Sequence, residues 1–255
     1  METETVQKPE ASEFMKAFFG SERRWKPKDL KQLLRLGPPS DNATKEELKR
    51  ILQNEFSTLG DDAQKADGPK LDERLRGYRL ERLLFKLFFL EGLNPHPSFE
   101  RRPKKRNFQE SYDTISEKDE DANDDDEAKD GRGRKAGSEQ IDGFFELDDR
   151  FFLLEAKWTK DPIPASALYT FRGAVEGRLG GTVGLFVSVG DFADDAEYAL
   201  MWGKEICMLL ANESDIACAL EPGNSFTEMI RMKLREAARL GEIYTSYREH
   251  VDRDK

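Results

Sequence analysis

Helical and strand-forming segments alternate along much of this 255-residue chain, which predicts an α/β protein built on a mixed central sheet. Three stretches carry that expectation. Residues 139–158 read as a β-hairpin, with two apolar runs around a polar break at Asp148-Asp149. Residues 71–91 read as a helix, because Leu80, Leu83, Leu84, Leu87 and Phe88 recur at helical spacing. Val183 to Val189 is short, apolar and rich in β-branched residues, as a strand covered on both faces should be.

The remaining elements follow in chain order. Residues 1–12 read as disordered, and Phe14 to Phe19 as a short apolar patch compatible with a helix. Lys28 to Leu36 places Leu30, Leu33 and Leu34 on one helical face, and Gly37-Pro38-Pro39 stops it. Thr44 and Glu47 have capping-box spacing ahead of Leu48, Ile51, Leu52 and Phe56. Residues 1–60 thus form a helical N-terminal region, a specificity module or helix-turn-helix-like reader, or else packing for the core. Residues 59–70 are polar and read as a linker. The core is expected over 71–222. Residues 94–140 read as loop, with a turn at Asn94-Pro95-His96-Pro97 and a charged, disordered insert at about 101–138. Asp161-Pro162-Ile163-Pro164 opens a helix with Leu168, Phe171 and Val175 inward and Arg172 and Arg178 near its outward faces, ended by Gly180-Gly181. Ala193–Leu200 is expected to be a helix and Glu205–Leu210 a strand. Residues 223–255 hold a last helix opened by a Ser225–Glu228 capping box, then a frayed tail.

The hairpin gathers chemistry. With Asp148 and Asp149 as a two-residue loop, Leu147 faces Arg150 and Asp142 faces Glu155. Lys157 shares the face of Glu155. Two carboxylates opposed on a strand pair destabilise it and raise one another's pKa unless a cation compensates. A divalent metal would do so, and Mg²⁺ takes one or two carboxylates with phosphate oxygens and water. Lys157 would then stabilise charge on phosphate or position water. The alternative is a surface hairpin with a Glu155–Lys157 pair and an exposed Asp142. Glu81 lies at the edge of the buried face of its helix, where a carboxylate is costly unless paired. A salt bridge with Arg79, Arg82 or a distant base would account for it.

Ile141-Asp142-Gly143, then, with a dozen residues between Asp142 and Glu155, Leu153-Leu154-Glu155-Ala156-Lys157-Trp158, resembles the PD-(D/E)xK nuclease signature, in its Mrr-like restriction-endonuclease variety. Ile141 stands where the eponymous motif has proline. Tyr78 to Pro95 resembles the family's first helix, which carries an acidic residue. Ala165 to Arg178 and Gly181 to Val189 resemble the helix and strand that follow the Glu-x-Lys strand. The resemblance spans about 78–205. It implies a restriction-endonuclease-like α/β/α core and a Mg²⁺-dependent DNA endonuclease, with Mn²⁺ as an alternative ion. It implies that Asp142, Glu155 and the Ala156 carbonyl hold the metal, that Lys157 is catalytic, and that Glu81 is an accessory acid. Gln140 and Arg172 are candidate substrate contacts. Restriction of foreign or modified DNA is the implied role, and cutting both strands would favour a homodimer.

Composition is compatible with this reading. The net charge is −10, but residues 117–130 alone carry −7 and the rest only −3. A phosphate backbone needs a local basic patch rather than a basic protein. Arg101, Arg102, Lys104, Lys105 and Arg106 supply one in the sequence. Cys207 and Cys218, the two cysteines, lack metal-ligand spacing and sit among apolar residues, so buried thiols are expected. His96 and His250 have no recognisable partner, so a histidine-based nuclease or serine triad is unsupported. No apolar h-region opens the sequence and no run reaches membrane-spanning length, so a cytoplasmic protein without a membrane partner is expected. Two rivals share the pattern. One is a repair or recombination nuclease of junction-resolvase type; the other is a non-catalytic DNA-binding or interaction domain on the same fold.

Overall fold

The computed structural model describes residues 11–19, 27–64, 73–101, 139–201 and 205–253. A five-stranded mixed sheet, in the order β1-β2-β3-β4-β5, is covered by helices on both faces. Strands β1 (His96–Arg101), β2 (Glu139–Leu147) and β3 (Arg150–Lys157) form an antiparallel meander. Strands β4 (Val183–Ser188) and β5 (Met208–Asn212) run parallel to β3 and are reached through helices α5 (Ala165–Glu176) and α6 (Asp194–Met201). This is the mixed α/β architecture that the alternation of elements predicts.

The hairpin turns at Asp148 and Asp149, whose φ angles of 49° and 59° suit a tight hairpin loop with both central residues left-handed. Arg231 grips the Asp148 carboxylate through two bonds of 2.7 Å. The register runs from Leu147 opposite Arg150 to Gly143 opposite Leu154, as the two-residue loop dictates.

Alternation along β3 feeds two cores. Phe152, Leu154 and Ala156 face the layer made by α1 (Ala11–Phe19), α2 (Pro27–Leu36), α3 (Asn42–Gln64), α4 (Glu73–Leu90), α7 (Glu213–Leu220) and α8 (Phe226–Leu240). Phe145 stacks on Phe152 and meets Phe88 of α4, both at 4.6 Å between ring centroids. Leu153 faces the other layer, made by α5 and α6. A Cβ at Gly184 would come within 2.8 Å of Phe171 and Val175, so glycine lets α5 lie close on β4. The N-terminal helices join the first core: Phe56 packs on Trp158, and buried Lys86 of α4 reaches Glu55 of α3 at 3.0 Å.

Several expectations need correction. Residues 94–140 are not all loop, because His96–Arg101 is edge strand β1 and β2 begins at Glu139; His96 is therefore a strand residue. The expected linker begins too early, since α3 runs to Gln64 with Leu59 buried. Its cap is Asp41, whose carboxylate accepts the Thr44 N–H at 2.7 Å, not Thr44 itself. The last strand is shifted to Met208–Asn212. Helix α7 is an added element, opened by a reciprocal Asn212–Asp215 capping box. The tail holds α9 (Tyr247–Arg253) instead of fraying. Ser225 does cap α8, but Glu91 at the end of α4 takes the Phe226 and Thr227 N–H groups. Cys218 is buried and Cys207 half-buried. Residues 1–10 and the insert from 102 to 138, with the acidic run and most of the basic cluster, lie outside the described residues. Among the described residues no helix is long and apolar enough to cross a membrane.

The C-terminal helices are pinned by one buried ion pair. Lys233 of α8 and Asp215 of α7 are essentially inaccessible and 2.8 Å apart. Lys233 also donates to the Thr245 carbonyl, and Asp215 accepts the Tyr247 N–H. Removing one partner strands a buried charge. Asp215→Ala should therefore lower unfolding free energy in urea by about 3–5 kcal/mol, while Asp215→Ala with Lys233→Met should lose clearly less.

Candidate active site

The site forms where β2 leaves β3. Their paired register ends at Gly143–Leu154, one step before Asp142 and Glu155. Beyond that point the Asp142 carboxylate stands in for a backbone acceptor: Oδ2 receives the Ala156 N–H at 3.1 Å. Alternation also changes here, since Ile141 packs with Leu153 in the α5 layer. Asp142 thus meets β3 by a side-chain bond instead of a simple cross-strand pairing, and it is only 7% exposed.

Lys157 joins the two acids. Its Nζ lies 3.6 Å from Asp142 Oδ2 and is paired with Glu155 Oε1. Burial pulls the Lys157 ammonium down, but Glu155 and Asp142 outweigh it and hold the group above its ordinary range. The end of β3 is firmly seated. Lys157 pairs with Ser188, its carbonyl accepts the Val189 N–H, and Gly190 lies so close to Thr159 that a Cβ there would sit 2.4 Å from the Thr159 carbonyl oxygen.

Glu81 of α4 belongs to the same electrostatic group. Burial and then the neighbouring Asp142 push its carboxyl up to about 8; Glu155 adds to this, while Lys157 and a hydrogen bond from Ser98 oppose it. The charges that act on Glu81 are those of Asp142, Lys157 and Glu155, so it lies within reach of the candidate site's charged groups. Lys157 is thus paired with two carboxylates and feels the charge of a third. Among the described residues no group of three or more His, Cys, Asp or Glu side chains is tight enough to hold a metal ion unaided. An ion here would rest on two carboxylates and on oxygens from elsewhere.

Gln140 lies on β2 opposite Glu100, two residues before Asp142. Arg172 is elsewhere and is the clear misreading. It is buried, paired with Glu176, and donates to the Leu200 and Glu205 carbonyls. Helix α5 turns Phe171 to the sheet, and the next residue faces the end of α6, not solvent. Ser98 is the site neighbour that the sequence reading missed. Its strand was hidden by the charged run that follows, although Pro97-Ser98-Phe99 offered a short alternation.

The raised Glu81 sets a direction for stability against pH. Between its ordinary value of 4.5 and about 8, the folded chain holds a proton that the unfolded chain has lost. Stability in EDTA should therefore fall as pH rises through that window. Glu81→Gln should flatten the fall, as read by urea midpoints at pH 5, 6.5 and 8.

No protein-family model matches the chain, and no curated protein matches it. Among solved structures it is similar to one described as MspJI restriction endonuclease in complex with a 27-mer oligonucleotide, at 11% identity and a TM-score of 0.31. The match covers 82% of this chain and 38% of that one, and a likeness this low says nothing of activity.

Proposed function

We propose that this chain is a divalent-metal-dependent DNA endonuclease of restriction type. The observation that carries the reading is the meeting of Asp142, Glu155 and Lys157 at the divergence of β2 and β3. The sequence resemblance to Mrr-like nucleases assigns function to the same three positions. The donor set fits a hard cation. Two acidic side chains on adjacent strands, with excess negative charge around them, suit an ion that takes its remaining ligands from phosphate and water. Mg²⁺, or Mn²⁺ in its place, bound by Asp142, Glu155 and the Ala156 carbonyl, would supply polarisation of a phosphate oxygen and a lowered pKa of water.

The chain's own groups then divide the work. Asp142 is held by the Ala156 N–H, so its carboxylate is oriented before substrate arrives. Lys157 would orient the attacking water and offset negative charge as it grows on the phosphate. Glu81, whose carboxyl is pushed up in the metal-free chain by burial and by Asp142, would stand beside the pair as an accessory acid. Gln140 would contact the substrate strand. Cutting both strands of a duplex would engage two copies of the chain.

The test is cleavage of supercoiled plasmid, methylated and unmethylated, with Mg²⁺, Mn²⁺ or EDTA. Wild type should nick the plasmid only with metal, and Lys157→Ala should lose at least about a hundredfold in rate. A preference between the two plasmids would support restriction over repair. Equal rates for wild type and variant, or inertness with every ion, would overturn the reading.

A further inference from the structure

The sheet face that bears Glu155 and Lys157 is only partly covered. Phe151, Leu153, Glu155 and Lys157 alternate along β3 toward one side. Phe144 is paired with Leu153 and with His96 of β1, so it shares that side. Helices α5 and α6 cover this face over Leu153, β4 and β5. Toward the edge strand it is more open among the described residues. Phe151 is 40% exposed, His96 is exposed, and Phe144 is half-buried between them. Phe144 stacks on Phe151 at 5.9 Å, and His96 meets Phe144 edge-on at 5.5 Å.

A contiguous row of aromatic rings partly open to solvent is the kind of patch that marks a binding surface. Its position argues for which one. Phe151 is four residues along β3 from Glu155, about 13 Å. His96 is two residues along β1 from Ser98, the hydrogen-bond partner of Glu81, about 7 Å. The rings therefore continue the proposed active site by a few nucleotides of strand. Unpaired bases stack on aromatic side chains whatever their sequence, whereas duplex bases are stacked on one another and offer no free face.

We propose that His96, Phe144 and Phe151 form a nucleobase-stacking surface. On the nuclease reading above, it would hold bases that are unpaired beside the scissile phosphate, as in a flap, a splayed end or a duplex opened at the cut. Phe151 and His96 supply the accessible rings, and Phe144 joins them.

The experiment reads binding separately from cleavage. Fluorescein-labelled oligo-dT and a duplex of equal length are titrated in EDTA with wild type, Phe151→Ala and Phe151→Trp. Phe151→Ala should bind oligo-dT about tenfold more weakly, with duplex affinity unchanged and a single cooperative melt retained. Phe151→Trp should bind as wild type does, and its added indole emission should be quenched by oligo-dT and not by duplex. Unaltered oligo-dT affinity in Phe151→Ala, or indole emission that does not respond, would overturn the proposal and leave the nuclease reading standing. Conversion of a dimer to a monomer by Phe151→Ala, with oligo-dT binding intact, would overturn it in favour of a second copy of the chain as occupant. Quenching by oligo-dT in a protein that cleaves no DNA with any ion would uphold the stacking surface and refute the nuclease reading.

Discussion

The hydrogen bond from the Ala156 N–H to the Asp142 carboxylate is the constraint on which the site depends. Where β2 parts from β3, a backbone donor would lose its ladder partner, and an unsatisfied buried N–H costs about 1–3 kcal/mol. Asp142 satisfies it, and in doing so brings a buried carboxylate to the strand that bears Glu155 and Lys157. On the proposed reading, one residue thus serves both the fold and the chemistry. A merely structural hairpin would be more stable with apolar residues there, because desolvated charges rarely recover their cost.

The rest of the molecule holds that junction still. Phe145, Phe152 and Phe88 form a contiguous aromatic layer below it, and Arg231 fixes the far end of the hairpin through Asp148. Helix α4 does two things at once. Its apolar side packs on the sheet, while Glu81 at the margin of that packing joins the acidic group. On the other side, Val189 and Gly190 seat the end of β3 against the next strand. Rigid strands and a packed helix, not loops, therefore carry the acids and the lysine, as positional precision in a site requires.

Much of this was legible because it rests on local periodicity. The Asp148-Asp149 turn fixes the hairpin register, and the register brings Asp142 near Glu155. The spacing of Leu80, Leu84 and Leu87 fixes which side of α4 is buried and leaves Glu81 at its edge. What was not legible depends on contacts distant in sequence. Nothing near Arg172 announces that the end of α6 and residue 205 will cover it. Glu91 caps a helix 135 residues away, which no capping-box spacing encodes. Strand β1 is short and runs into a charged segment, so composition hid it, and Ser98 with it. The side-chain bond of Asp142 to Ala156 replaces the ladder pairing that alternation alone would extend.

Metal binding at the Asp142–Glu155 pair is the central claim, and Mn²⁺ offers a direct probe of it. Electron paramagnetic resonance of free Mn²⁺, titrated with wild type and with Asp142→Asn, reports occupancy without requiring turnover. The account predicts that the wild-type chain binds the ion and that the variant binds it at least about tenfold more weakly. Equal affinity in both, or no binding by the wild-type chain even with a DNA oligonucleotide present, would contradict it.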